Sequence, residues 1–241
     1  VVESTILNSL TLGGSAAIDV AQDKTLTYEG AALSLGANTL IISGAGSLSN
    51  ASGYVLGDPA SVLMLSGTNT ISGPLSLNAG VIDVDESSTL SSDLTLSGSA
   101  TIDVAEDKTL TYGGASLSLG ANTLNVEGAG TLSNPSGYVL GDPESVLKLS
   151  GTNTISGPLS LNAGVIDVDE SSTLSSDLTI GGSSSINVRQ DKTLTYSGAA
   201  ISLGANTLTV AGAGTLSNPS GYVLGDHESV LKLSGTNTIS G

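Results

Sequence analysis

The chain has 241 residues, 39% of them hydrophobic, and carries 22 acidic against 6 basic side chains, which gives a formal net charge of −16. This acidic excess argues against nucleic acid and anionic membrane surfaces as partners, because both are bound through clustered lysine and arginine. Cysteine, phenylalanine and tryptophan are absent, so no disulfide can form, and leucine, isoleucine and valine must fill a narrow core. No apolar run is long enough to span a membrane, and we expect no membrane insertion in this segment.

A long, fixed period organises the sequence. Tyr28, Tyr112 and Tyr196 recur at steps of 84 residues, and the residues around each of them carry nearly the same text. A period of this kind indicates a repeat architecture and predicts a single segment rather than separate domains. The segment comprises the end of a preceding repeat at 1–9, a first repeat at 10–93, a second at 94–177 and an incomplete third at 178–241.

Four sub-repeats make up each repeat. In the second repeat they begin at Leu94, Leu117, Tyr138 and Leu159 and are 23, 21, 21 and 19 residues long. Each contains three short stretches of alternating apolar and polar residues, which predict strands with one buried face, separated by turn-forming residues. The predicted fold class is therefore all-β, a parallel β-helix (β-solenoid) with three short strands in each coil of 19–23 residues and four coils per 84-residue repeat. We expect it to be right-handed, because parallel crossovers nearly always are.

Differences among the repeats distinguish inward from outward positions. Met64 of the first repeat is replaced by Lys148 and Lys232 in the others, whereas the leucines on either side are unchanged. Such a position must point outward. We therefore expect Lys148 and Asp167 to lie outside, and one buried column to be formed by Leu96, Leu119, Leu140 and Leu161. The step from the second to the third strand is six residues in every coil, which predicts two evenly registered sheets.

One stretch carries a resemblance to a known family. The segment Leu147–Val168 reads LKLSGTNTISGPLSLNAGVIDV and recurs with one change at Leu63–Val84. It is similar to the passenger-associated repeats of autotransporters and related large bacterial exoproteins, which typically read L-x-L-S-G-x-N-T-Y-S-G-G-T-x-I-N-x-G-x-L. The matching residues are Leu149, Ser150, Gly151, Asn153, Thr154, Ser156, Gly157, Asn162 and Gly164. The resemblance implies a right-handed β-helix on a Gram-negative surface or outside it.

From the repeats and this resemblance we expect an extracellular structural repeat that forms a stiff stalk or filament of a bacterial surface protein or adhesin. The expected location is extracellular or the bacterial cell surface. The expected partners are other copies of the chain, end to end or within a longer array, and a host or neighbouring cell surface. Residues 1–9 match the third strand of the fourth coil, and the last residues, SGTNTISG, match that of the third coil. The sequence thus predicts a segment that is internal to a longer solenoid or that polymerises end to end.

The third strand of each coil supports an alternative function. Its outward positions form a candidate surface-binding face of Thr-x-Thr and Thr-x-Ser pairs: Thr109, Thr111, Thr131, Ser133, Thr154, Ser156, Thr173 and Ser175. Such rows resemble the ice-binding face of β-helical antifreeze proteins, where hydroxyl and methyl groups order water. The resemblance implies an ice-binding β-helix. Threonine also suits exposed strand positions and stacks on itself, so packing alone accounts for the same rows.

Catalytic and metal-binding chemistry is disfavoured by the repeats. A polysaccharide-cleaving β-helix enzyme, the third hypothesis, needs a unique set of carboxylates, whereas the acidic clusters here are copied from repeat to repeat. Calcium needs about six to eight converging oxygens, so turns such as Asp103-x-x-Glu106-Asp107 are expected to be solubilising charge. The single His227 is expected in an exposed turn, and Asn153 and Asn162 are expected to serve turn formation. We expect no catalytic residue, no cofactor and no metal ligand.

Overall fold

The computed structural model describes residues 3–241, which form strands joined by turns and contain no helix. The chain divides into two compact units, Val1–Ala115 and Ser116–Gly241. The strands of the first unit are β1 Thr5–Leu7, β2 Ala16–Val20, β3 Thr25–Tyr28, β4 Leu33–Ser34, β5 Thr39–Gly44, β6 Ser47–Asn50, β7 Tyr54–Leu56, β8 Val62–Leu65, β9 Thr70–Ser72, β10 Leu75–Leu77, β11 Val81–Val84, β12 Ser88–Leu90, β13 Leu94–Leu96, β14 Ala100–Val104 and β15 Thr109–Tyr112.

The strands of the second unit are β16 Leu117–Ser118, β17 Thr123–Gly128, β18 Thr131–Ser133, β19 Tyr138–Leu140, β20 Val146–Leu149, β21 Thr154–Ser156, β22 Leu159–Leu161, β23 Val165–Val168, β24 Ser172–Leu174, β25 Leu178–Ile180, β26 Ser184–Val188, β27 Thr193–Tyr196, β28 Ile201–Ser202, β29 Thr207–Gly212, β30 Thr215–Ser217, β31 Tyr222–Val223, β32 Val230–Gly235 and β33 Thr238–Ser240.

Strands stack in parallel on their equivalents about 22 residues along the chain, and together they form a β-solenoid of about 11 turns. Each coil from β4 onward has a first, a second and a third strand, as β7, β8 and β9 illustrate. The predicted fold class is confirmed, and the arrangement fits a right-handed parallel β-helix. Leu10 and Leu12, where a first strand was predicted, form none. The first strand that opens a repeat pairs only with the first strand of the preceding coil, as β25 pairs with β22. Residues 3–9, the described residues before Leu10, contain no first strand with which it could pair.

Aliphatic side chains that point inward fill the coils between the first and the last. Leu96 is 6% exposed, and Leu119, Leu140 and Leu161 are completely buried. In the second unit Leu140 lies in register with Leu161, which lies in register with Ile180. The predicted inward and outward positions are confirmed, because Lys148 and Asp167 alternate with buried residues on their strands and face each other across β20 and β23.

The third strands are not evenly registered, so that prediction is wrong. Leu90 of β12 faces Tyr112 of β15, and Ser88 faces Leu110. The constant spacing of six residues between the second and third strands predicts instead that Leu90 lies opposite Leu110. The same step of two residues occurs in the second unit between β24 and β27.

The turn before β15 accounts for this step. The second strands that precede it are still in register, with Val84 opposite Val104. The turn that follows Val104 contains Asp107 at φ 60°, in the left-handed region that aspartate tolerates better than most residues. This turn takes up two more residues than the corresponding turn of the preceding coil, and Tyr112 therefore occupies the place above Leu90.

A second step of two residues occurs in the second strands. Ile18 of β2 faces Ile42 of β5, and Ala16 faces Leu40. The apolar pattern of the sequence predicts Ile18 opposite Leu40 instead. The step places Gly44 opposite Val20, with φ 85°. A Cβ at Gly44 would lie 2.1 Å from the Val20 carbonyl oxygen, so only glycine lets β5 continue this far. The second unit repeats the step between β26 and β29.

The sheet of first strands is interrupted where a tyrosine takes the place of a neighbouring strand. In the second unit β25 and β28 belong to separate sheets, and the Leu178 amide donates to the Tyr196 hydroxyl at 3.1 Å. The Tyr196 ring covers Gly198, where a Cβ would lie 2.4 Å from the hydroxyl oxygen. In the first unit the Leu94 amide donates to the Tyr112 hydroxyl at 3.0 Å. The phenol thereby satisfies a backbone group that the sheet leaves unpaired.

Candidate functional site

The predicted threonine and serine residues lie on the outer face of the third strands. Thr109 and Thr111 belong to β15 in the first unit. The remaining six lie in the second unit, on β18, β21 and β24 or directly after β24: Thr131, Ser133, Thr154, Ser156, Thr173 and Ser175. None of the third strands contains a charged residue, so this face is uncharged although the protein is strongly acidic.

Strand register arranges these residues into a threonine column and a serine column. In the second unit Thr131 faces Thr154, and Thr154 faces Thr173. Because of the step between β24 and β27, Thr173 then faces Thr195 rather than Thr193. The serine column beside it begins with Ser133 opposite Ser156. In the first unit the corresponding column consists of Thr25, Ser47, Thr70, Thr89 and Thr111.

The hydroxyls of the threonine column point to solvent, and one serine differs from them in making a hydrogen bond to the protein. In the part of the chain that the structure describes, the hydroxyls of Thr131, Thr154 and Thr173 have no protein partner. The Ser175 hydroxyl, in contrast, donates to the Ile155 carbonyl at 3.3 Å. Neighbouring side chains in a column are separated by about 4.8 Å, and the two columns by about 6.7 Å along the strands. The threonine column therefore presents regularly spaced hydroxyl and methyl groups to the solvent.

The outer face of the second strands carries charge, and in the second unit Lys148 and Asp167 each have a polar partner in a neighbouring coil. The Lys148 ammonium lies 3.0 Å from the Asp169 carboxylate. The Asn187 amide donates to the Asp167 carboxylate at 2.7 Å. These contacts join neighbouring coils, although exposed pairs of this kind each contribute at most about 1 kcal/mol to stability.

In the first unit the same face is arranged differently. Asp83 faces Met64 on one side and Asp103 on the other. Burial, followed by the nearby Asp85 and Asp103 carboxylates, raises the pKa of Asp83 above its ordinary value. Burial and the nearby like charges thus both oppose ionisation at this position.

The acidic turns serve backbone geometry and pairing between coils. Asp107 adopts the left-handed conformation described above, and Lys108 next to it lies 2.7 Å from the Glu86 carboxylate of the preceding coil. Among residues 3–241 no group of three or more histidine and acidic side chains is placed to hold a metal ion. His227 lies in an exposed turn, with Nδ1 3.2 Å from an Asp226 carboxylate oxygen.

Asn153 has a role that the sequence reasoning missed. Its side chain is 1% exposed and points inward. The Nδ2 group donates to the carbonyls of Glu127 and Gly128 in the preceding coil, at 2.7 and 2.9 Å. Asn69 makes the equivalent contacts in the first unit. The signal was present in the unchanged SGTN text of the three repeats, which we had attributed to turn chemistry alone.

Asn162, for which turn formation was also predicted, has an exposed side chain in a turn. Its backbone amide donates to the Leu140 carbonyl at 2.9 Å. The two asparagines that the sequence treated alike therefore have different environments, one between coils and one at the surface.

A shallow groove of about 310 Å³ lies on the second unit's second-strand face. Val165, Ser185 and Thr209 line its floor, and Pro143 is at its side. Its lining contains hydroxyl and aliphatic groups and no charged side chain. None of the predicted threonine and serine face belongs to it.

No helix within residues 3–241 has the length and apolar character needed to cross a membrane. Comparison of the chain with protein-family models, with curated proteins and with solved structures finds no match.

Proposed function

We propose that the chain is an extracellular structural repeat that forms a stiff stalk or filament segment of a bacterial surface protein or adhesin. The supporting observation is that polar side chains present in every repeat donate hydrogen bonds to the backbone from buried positions. Asn153 and Ser145 donate to backbone carbonyls of the preceding coil. Asn134 closes a turn by donating to the Gly137 carbonyl at 2.6 Å. These groups hold coils together and shape their turns, as a structural element requires.

Stiffness follows from the way in which neighbouring coils are joined. Parallel backbone hydrogen bonds connect the second strands and the third strands of successive coils, and closely packed leucine, isoleucine and valine fill the space between. Bending such a body requires backbone groups to lose their partners on one side, which is costly when those groups are buried.

The proposed location and partners rest on the sequence. The segment Leu147–Val168 resembles bacterial surface repeats, and the strong net negative charge keeps a large repetitive surface soluble. We propose that further copies, or further repeats of a longer array, continue the stack, and that a host or neighbouring cell surface is the target.

Insertion of one more repeat tests the structural proposal. A second copy of residues 94–177 placed after Asp177 adds four coils, which should increase the maximum dimension in small-angle X-ray scattering by about 19 Å. The control insert has the same composition in scrambled order and should add a disordered segment instead. A particle that keeps its original length with the ordered insert would refute the proposal. Antibody labelling of intact source cells tests the location separately.

We propose ice binding as the alternative function, because the threonine column is in register and its hydroxyls have no protein partner. The test is thermal hysteresis of the parent protein and of Thr154→Lys, which places a charge in the middle of the column. The matched control is Thr179→Lys, an exposed outward position on β25. The alternative requires activity in the parent and in Thr179→Lys and its loss in Thr154→Lys. A parent protein without hysteresis removes it.

A further inference from the structure

The first unit has an apolar patch on the outer face of its second strands. Ile41 faces Met64 across β5 and β8, and Val62 faces Val81 across β8 and β11. All four side chains are half-buried and alternate with fully buried core residues, so they point away from the interior. They form a contiguous, staggered set across three strands, with one residue on β5, two on β8 and one on β11, which we call the apolar patch.

Carboxylates border the apolar patch at one edge. Asp83 lies in register with Met64, and Asp103 lies in register with Asp83. Asp85 lies two residues further along the chain and contributes to the raised pKa of Asp83. The surface therefore combines half-buried aliphatic side chains with the neighbouring Asp83 and Asp85 carboxylates.

The second unit provides an internal comparison, because its equivalent strands have the same register. There Lys148 replaces Met64 and lies 3.0 Å from Asp169, the equivalent of Asp85. Asn187 replaces Asp103 and donates to Asp167 at 2.7 Å. The ammonium and amide groups that pair the acids in the second unit are thus replaced in the first by a thioether and a further carboxylate.

We propose that the apolar patch and the neighbouring Asp83 and Asp85 carboxylates form a docking surface for an extended segment of another protein that turns two aliphatic side chains and one basic side chain toward the sheet. In an extended segment every second side chain points to the same side, so three residues spaced two apart would face the sheet. Aliphatic side chains would cover Ile41, Val62 and Val81. A lysine or arginine would lie among the carboxylates and reduce their mutual repulsion, which gives charge complementarity at the edge of the patch.

The partner is a different protein rather than a second copy of this chain. The net charge of −16 and the 6 basic residues make the chain a poor cationic partner for itself. This inference goes beyond a structural role, since it gives the first unit a lateral attachment site that the second unit lacks.

Met64 provides a direct probe, because it is the sole methionine in the sequence. The protein is labelled with [methyl-¹³C]methionine and titrated with a synthetic ten-residue valine–lysine peptide, in which one face carries valine, valine and lysine in turn and serines occupy the positions between. Matched peptides with glutamate in place of lysine, or with serine in place of valine (the serine–lysine peptide), serve as controls. We expect the Met64 methyl resonance to shift in a saturable manner with the valine–lysine peptide alone. An unchanged resonance, or an equal shift with the serine–lysine peptide, would overturn the proposal.

Two reciprocal variants localise the binding by fluorescence anisotropy of the labelled peptide. Met64→Lys should weaken binding about tenfold or more, because it removes an anchor and neutralises the carboxylates. Lys148→Met should not weaken it. Each variant carries a residue that the equivalent position already accepts in another repeat, so both are expected to fold. Equal affinity of the parent and Met64→Lys would contradict the proposal. A Met64 resonance that depends on protein concentration without peptide would assign the patch to self-association instead.

Discussion

Replacement of Asn153 with alanine tests whether the inward asparagine joins neighbouring coils. The substitution removes the two hydrogen bonds to the Glu127 and Gly128 carbonyls, at 2.7 and 2.9 Å. It also removes the Oδ1 acceptor of the Gly151 amide, at 3.3 Å. A typical hydrogen bond contributes about 0.5–1.5 kcal/mol, and leaving a buried partner unsatisfied costs about 1–3 kcal/mol. We therefore expect the free energy of unfolding to fall by about 2–4 kcal/mol.

Two further asparagines provide controls for this change. Asn162→Ala alters an exposed turn side chain and should cost less than about 0.5 kcal/mol. Asn69→Ala should cost less than Asn153→Ala, because the Asn69 contacts are both 3.2 Å long and its buried Oδ1 atom has no partner. Removal of that unpaired atom offsets part of the loss.

The assay is urea denaturation followed by circular dichroism, with hydrogen exchange measured by mass spectrometry to locate the effect. In Asn153→Ala, exchange should accelerate first in β17 and β20, the second strands that Asn153 joins. An unfolding free energy within about 0.5 kcal/mol of the parent would refute the reasoning. Equal effects of Asn153→Ala and Asn162→Ala would refute it as well.

Four other substitutions or treatments test the remaining features. Leu119→Asp should destabilise by several kcal/mol because it places a charge in a dry core, whereas Lys148→Asp should cost about 1 kcal/mol or less; the reverse order in thermal melts would invert the inward assignment. Gly198→Ala should displace the Tyr196 phenol and destabilise by about 2 kcal/mol, while Gly141→Ala, where the nearest atom is 3.7 Å away, should be tolerated in the same melts. Asp103→Asn should lower the pKa of Asp83, observed by NMR titration. Because the pKa of Asp83 is raised in the folded state, protonation of Asp83 favours folding. Acidification through this pKa should therefore raise the Asp83 contribution to the free energy of unfolding more in the parent than in the variant. An unchanged Asp83 titration in the variant would contradict the prediction. Melting with chelator and with excess calcium should give the same midpoint, and a large increase specific to calcium would contradict the prediction of no metal ligand.

Side-chain direction could be predicted because it depends on a period of two and on little else. Met64 and Lys148 occupy the same position between unchanged leucines, and no inward position tolerates both. The number of strands in a coil could be predicted for the same reason, because each of the three alternating stretches in a sub-repeat indicates one strand.

Register could not be predicted, because it depends on how much space a turn occupies rather than on how many residues separate two apolar side chains. The distance in sequence from Val104 to Leu110 equals that from Val84 to Leu90, yet Tyr112 lies above Leu90. The difference is set by the backbone conformation at Asp107, which composition does not reveal.

The inward asparagine was missed for a related reason. Asn153 and Asn162 have the same turn propensity, and only the path of the neighbouring coil brings two carbonyls to one of them. Of the candidate face, the residues and their outward direction followed from the sequence. Their grouping into a threonine column and a serine column depended on the unpredicted step.

The two-residue step between β24 and β27 limits how far any regular surface can extend. A crystalline or polymeric ligand that follows the threonine column in the second unit meets threonine in four successive coils, from Thr131 to Thr195, and then Ser217. Duplication of the sequence therefore adds further short threonine patches and does not lengthen the existing one. Affinity for an ordered surface would grow through the number of such patches in an array, in the manner of multivalent binding, with each patch bounded at four coils.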